Sequence, residues 1–222
     1  MIPRSDLMKT ETANHKASAR PAKRKATRHA RRSQLIDATI DSLASRGYSG
    51  TTLGDVAEGA GLSRGIVNFH FESKEKLLVA TLEHMAAEYG THWRNALEKA
   101  GDDPAEKLAA LVNADFDPLV CNRRKLAAWC AFWGEAKSRP TYQALCGSRD
   151  EAYQALLEQL CCELVERGGY THQPREMAIA LDALLEGLWL RLMMGNSGIS
   201  RETAKASAIG FLKTAFPKDY PQ

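Results

Sequence analysis

An all-α fold follows from three features of the sequence. Apolar residues recur at helical spacing from about Arg31 onward, Ser, Thr or Pro stand where most of those runs begin, and no segment alternates apolar and polar residues as a half-buried strand does. The expected layout is an arm over 1–28, a three-helix unit containing a helix-turn-helix over 29–78, and a larger helical body over 79–222.

The elements can be justified in order. Met1 to Thr27 is polar and aperiodic, so no regular structure is expected there when it is unbound. From about Arg31, Leu35, Ile36, Thr39, Ile40 and Leu43 share one helical face. Gly47 then offers a left-handed C-cap, with Tyr48 making the apolar contact that follows it. In "TTLGD", Thr52 and Asp55 have capping-box spacing and open a short helix carrying Leu53, Val56, Ala57 and Ala60. Gly61 ends it. Ser63 caps a third helix built on Ile66, Val67 and Phe71, and Ser73 a fourth that runs to about Ala100. Beyond it the periodicity predicts helices near 104–118, 123–137, 149–167, 175–194 and 200–215, with Pro104, Pro118, Pro140 and Pro174 near starts or breaks.

Composition narrows the function classes. The most apolar stretch, "LDALLEGLWLRLMM", is interrupted by Asp182, Glu186 and Arg191, which argues against a membrane span. Five cysteines without a CxxC pair read as reduced, small hydrophobes, and a cytoplasmic location is expected. Charge is unevenly placed. Residues 1–32 hold ten Lys/Arg against two Asp/Glu, a net +8, while the remainder holds twenty against twenty-five, a net −5. A basic arm on a mildly acidic body suits an anionic partner at one end, or a solvated tail.

Two short helices joined by a Gly-containing turn and held against a longer one form a helix-turn-helix, whose second helix lies in the DNA major groove. On that helix Arg64 can reach guanine or phosphate, and Asn68 an adenine edge. Gly65 lets the backbone approach the duplex, and His70 and Lys74 follow at spacings that suit phosphates. "TTLGDVAEGAGLSRGIVNFHFESKEKLL", preceded by "LIDATIDSLASRGYSG", resembles the DNA-binding domain of the tetracycline-repressor (TetR) family over about residues 30–80. The resemblance implies a homodimeric transcription regulator, usually a repressor released by a small ligand. It also implies that Thr52, Arg64, Gly65, Asn68, Phe69, His70 and Lys74 face double-stranded DNA. The chain departs from the family pattern at Asn68, often tyrosine, and at Phe69, often tyrosine or histidine. This bears on base preference rather than on binding mode. Beside such a unit, the basic arm can lie along phosphates or enter a minor groove.

In the body, Trp129, Phe132 and Trp133 share one helical face, as do Asp182, Glu186 and Trp189. Plain core packing explains the aromatic residues. It explains the carboxylates poorly, because a buried acid without a partner is costly. The sharper alternative is a cage for an organic ammonium ion, with ring faces and negative charge, completed by Asp115, Phe116 and Asp117. "NADFDPLVCNRRKLAAWCAFWGEA" and "LDALLEGLWLRLMMG" resemble the choline-responsive branch of the family, which represses glycine betaine synthesis, and the similarity extends over most of 30–216. It implies choline, or a related quaternary ammonium compound, as effector. A multidrug-type sensor of lipophilic cations is the alternative. Leu181, Leu184, Leu185, Leu188 and Leu192 surround much of helix 175–194, so it needs partners on more than one side. The family implies a dimer through helices 175–194 and 200–215.

No phosphate-cradling loop, HExxH or GxSxG motif supports an enzyme, and no cofactor is expected. His84, Glu88 and His92 share a helix face with metal-compatible spacing, although a solvated face is the commoner meaning of such a trio.

Overall fold

The computed structural model describes residues 7–195 and 198–220, with side chains from 27 onward except 146–150. Nine helices make up the described residues: α1 (Leu7–Gly50), α2 (Leu53–Gly59), α3 (Arg64–His70), α4 (Lys74–Lys99), α5 (Pro104–Asp115), α6 (Arg123–Ala136), α7 (Pro140–Gly168), α8 (Pro174–Met194) and α9 (Arg201–Ala215). Helices α1 to α3 form a small head, α4 runs from the head into the body, and α5 to α9 complete the body. Helix α6 packs against α1, α7 and α8, while α4 packs against α1, α5 and α7.

The head folds as its local signals dictate. Leu35, Ile36, Thr39, Ile40 and Leu43 are all buried, against Val56, Ala57, Val67 and Phe71. The Thr52–Asp55 capping box forms in both directions. At the turn, Gly61 takes a φ of 60°, and the Leu62 N–H donates to the Ala57 carbonyl at 2.9 Å, which closes α2. Ser73 caps α4 through Lys76 N–H, whereas the Ser63 side chain makes no capping bond to α3.

Three further expectations need correction. Gly47 has the positive φ expected, 70°, but a ψ of −177°, so it breaks the helix with an extended residue rather than a left-handed cap. Helix α1 begins at Leu7, not near Arg31. Its first segment is rich in Lys, Arg and Ala, which favour helix without supplying an apolar stripe, so periodicity is blind to it. Helix α7 starts at Pro140 rather than near 149. Tyr142 draws that first turn in: it is fully buried, edge-on to Phe132 at 5.5 Å, with its hydroxyl 3.0 Å from the Tyr48 hydroxyl. Burial of an aromatic ring outweighs the weak helix propensity of the Gly147–Ser148 pair.

Among the described residues no helix is long and apolar enough to cross a membrane. Burial pushes the Cys121 and Cys161 thiols up to about 12, so both behave as packing groups.

Candidate DNA interface and effector cavity

Helix α3 has one face fixed and one face free. Val67 and Phe71 anchor it, so Arg64, Gly65, Asn68 and Phe69 lie together on its exposed side. Phe69 is 70% exposed, an unusual place for a large apolar ring. His70 is half-buried, and its pKa is held below the usual histidine value by burial and then by the positive charges of Arg28 and Arg32. Thr52 is exposed, yet its hydroxyl is engaged with Asp55 at 2.6 Å, so capping α2 is its first role.

Lys74 differs from the rest of the predicted set. Its ammonium donates to the Tyr48 carbonyl at 3.0 Å and lies 5.2 Å from the Tyr48 ring centroid. It fastens the start of α4 to the end of α1 rather than standing free for phosphate. Around the same junction, Arg139 from the loop before α7 reaches Glu75 at 3.2 Å and covers the Tyr48 ring at 5.0 Å. Helix α6 is tied to α1 by Arg124, which donates to Asp41 and to the Asp37 carboxylate and carbonyl.

In the body, a cavity of about 20 Å³, room for roughly one water, is lined by Tyr89, Asp115, Trp133, Tyr153, Asp182, Leu185, Glu186 and Trp189. Asp115 is its electrostatic centre. The carboxylate is 2% exposed and accepts the Tyr89 hydroxyl at 2.5 Å and the Tyr153 hydroxyl at 3.1 Å, while its backbone carbonyl accepts the Trp189 indole N–H at 3.0 Å. Burial, followed by the Asp115 charge, raises the Tyr153 pKa well above the usual tyrosine value, which keeps Tyr153 a donor. The rings meet edge to face: Tyr89 and Trp189 centroids are 5.6 Å apart, and Trp93 and Tyr153 also 5.6 Å apart. Gln154 holds Asp182 at the cavity wall.

Of the nine residues predicted for the cage, five line the cavity: Asp115, Trp133, Asp182, Glu186 and Trp189. The other four are elsewhere. Phe116 is the buried C-cap of α5, and Phe132 packs on Tyr142. Trp129 is buried behind Trp133, which it stacks on at 6.3 Å. Asp117 caps the turn after α5 through Leu119 N–H at 2.8 Å and faces His92 at 3.9 Å, away from the cavity. Sequence reasoning missed Tyr89 and Tyr153, whose helices it placed without assigning a face to the cavity. A tyrosine at a buried helical position signals that its hydroxyl needs a polar partner, and that was the available clue. Of the suggested metal trio, Glu88 takes the Lys125 ammonium at 2.6 Å, and the described residues contain no cluster suited to a metal ion.

A helix-turn-helix head joined to a helical body with a partly open, acid- and ring-lined cavity defines a ligand-responsive class of DNA-binding regulator. The family pattern for bacterial regulatory proteins of the tetR family matches residues 35–81, and that for the BetI-type transcriptional repressor C-terminal domain matches residues 104–217. The HTH-type transcriptional regulator BetI of Burkholderia lata is 35% identical over 195 residues, covering 86% of this chain and 97% of its own. That of Burkholderia thailandensis is 37% identical over 164 residues, covering 74% and 82%. A solved structure from Pseudomonas aeruginosa PAO1 has a TM-score of 0.73 at 26% identity, covering 84% of this chain and 90% of that one. A Saccharomonospora viridis protein solved in complex with choline has a TM-score of 0.73 at 22% identity, covering 82% and 95%, and shows likeness of fold. The chain belongs to the TetR family and carries a BetI-type C-terminal domain: it is a transcriptional repressor, not an enzyme.

Proposed function

We propose that this repressor is released from a palindromic operator by choline or a closely related small quaternary ammonium ion, and that it controls glycine betaine synthesis or choline uptake. The observation that carries this reading is the buried Asp115 carboxylate, set among Tyr89, Tyr153, Trp133 and Trp189 with Asp182 and Glu186 at the wall. A trimethylammonium group has no N–H donor, so hydrogen bonds to nitrogen cannot hold it. Ring faces and negative potential can, each well-placed ring contributing about 0.5–2 kcal/mol. The small cavity favours a compact cation over a bulky dye.

Binding would act on DNA through two helices. A trimethylammonium group is far larger than one water, so the walls must part when it enters. Tyr89 belongs to α4, which begins beside α3, and Trp133 belongs to α6, which Arg124 ties to α1. Displacing either helix shifts the head, and with it the spacing of two recognition helices in a dimer. Linkage makes the effect reciprocal: choline weakens DNA binding only as much as DNA weakens choline binding. For the dimer we propose helices α8 and α9. The outer face of α8 presents Ile179, Ala183, Gly187, Leu190 and Met194, an exposed apolar and small-residue stripe that a second copy would cover in a four-helix bundle.

Calorimetry tests the effector. The dimer should bind choline more tightly than its uncharged carbon isostere 3,3-dimethylbutan-1-ol, and choline should lower operator affinity in fluorescence anisotropy. Equal affinity for the two compounds would remove the quaternary ammonium reading, and a preference for cationic dyes over choline would favour the multidrug-type alternative.

A further inference from the structure

We propose that Arg28 and Arg32, one helical turn apart on α1, form a clamp for DNA phosphates flanking the recognition helix, with Phe69 and Phe71 of the α3 region as the platforms that hold them. This rests on the DNA-binding reading of α3 and extends it to residues outside the helix-turn-helix.

The two guanidiniums are placed, not loose. Arg28 lies 5.6 Å from the Phe69 ring centroid and Arg32 lies 5.3 Å from the Phe71 centroid. Stacking on a ring leaves the N–H edge of a guanidinium free for an anion. Among the described residues neither arginine makes an ion pair, whereas Arg46, Arg124, Arg139 and Arg167 are each committed to carboxylates. The nearby acids are occupied: Glu72 pairs with Lys76, and Glu75 with Arg139. His70 lies close enough to both arginines for their positive charges to add to burial in lowering its pKa. Arg32, His70, Phe71 and Lys76 also line one groove, together with Glu75, which Arg139 neutralises, and Glu83. The exposure of Phe69 acquires a reason: its ring fixes Arg28 beside the groove-facing residues Arg64 and Asn68. Free cations held at fixed positions along a DNA-reading helix suit a phosphate backbone, which presents negative charge at regular intervals.

The test uses the full-length dimer and two duplexes, one of random sequence and one that the wild type selects from a random pool. The variants are Arg28→Ala/Arg32→Ala, Arg28→Lys/Arg32→Lys, and, as a charge control, Lys99→Ala at the exposed C-terminal end of α4. Each phosphate contact contributes about 0.9 to the slope of log K against log salt, so the double alanine variant should lose up to about four across the dimer. The loss should appear on both duplexes, with the selected sequence unchanged. The lysine pair should restore most of the slope, and Lys99→Ala should leave it alone. A wild-type slope in the double alanine variant, with an unchanged melting temperature, would overturn the clamp and leave the arginines as packing groups. If the wild type itself selects no sequence, the DNA-binding reading of α3 fails instead.

Discussion

Replacing Asp115 by asparagine isolates charge from shape. The side chain is 2% exposed and holds two tyrosine hydroxyls, so an isosteric amide keeps the packing. Its carbonyl accepts one hydroxyl and its amino group donates to the other, at a folding cost of about 1–2 kcal/mol for the poorer pair. The consequence for a bound cation is larger. Two unit charges about 4 Å apart interact by about 4 kcal/mol at an effective dielectric constant near 20. Asp182 and Glu186 also line the cavity and supply part of the negative potential, so the share carried by Asp115 is about 2–3 kcal/mol, or roughly 30- to 150-fold in Kd. Calorimetry with choline and with its uncharged isostere reads this directly. The variant should lose most of the preference for choline while its affinity for the neutral compound changes little, and thermal denaturation should show it folded. If the preference for the cation survives within about threefold, Asp115 is not the counter-charge and the proposed cage is misplaced.

Other outcomes follow from the same geometry. Trp189→Phe keeps an aromatic ring but removes the indole N–H donated to the Asp115 carbonyl and part of the cavity wall, so choline binding should weaken while operator affinity measured by anisotropy stays near wild type; a matching loss of both would make Trp189 a general packing residue. Arg124→Ala should cost only about 1 kcal/mol of stability, since the pair is partly solvated. Choline affinity should persist in that variant while choline-induced DNA release weakens, and an undiminished release would exclude the α6–α1 tie as a route of coupling. His70 has a folded pKa below its usual value, and phosphates near Arg28 and Arg32 would raise it, so DNA binding takes up protons. Operator affinity should therefore rise as pH falls through about 7 to 5, and His70→Gln should flatten that dependence; a flat wild-type profile would contradict the placement. Ile179→Glu with Leu190→Glu should shift the protein to monomer in analytical ultracentrifugation, and an intact dimer would place the interface elsewhere.

Much of the head was legible because its signals are local. The Thr52–Asp55 box, the Gly61 turn, the Ser73 cap and the buried face from Leu35 to Leu43 each depend on residues a few positions apart, and each forms as its spacing implies. The body was legible in part. Residues 182, 186 and 189 share a face by arithmetic, and all three reach the cavity. Trp129 shares a face with Trp133 by the same arithmetic but does not line the cavity, because a residue's helix face does not say which neighbour covers that face. The two tyrosines that complete the acid's environment lie 26 and 38 positions from Asp115, beyond the reach of any periodicity.

The sequence by itself determined the helical class, the Thr52–Asp55 and Ser73 caps and the Gly61 turn of the head, and the charge separation between arm and body, since all of these are set by propensity and near-neighbour chemistry. Only the tertiary structure decided which acid is buried among rings, that Lys74 is tied to Tyr48, that Tyr142 pulls α7 forward to Pro140, and that Arg28 and Arg32 stand over Phe69 and Phe71. Those outcomes depend on chain segments far apart in sequence meeting in one place, where burial and pairing are settled by whichever neighbour the packing of helices supplies.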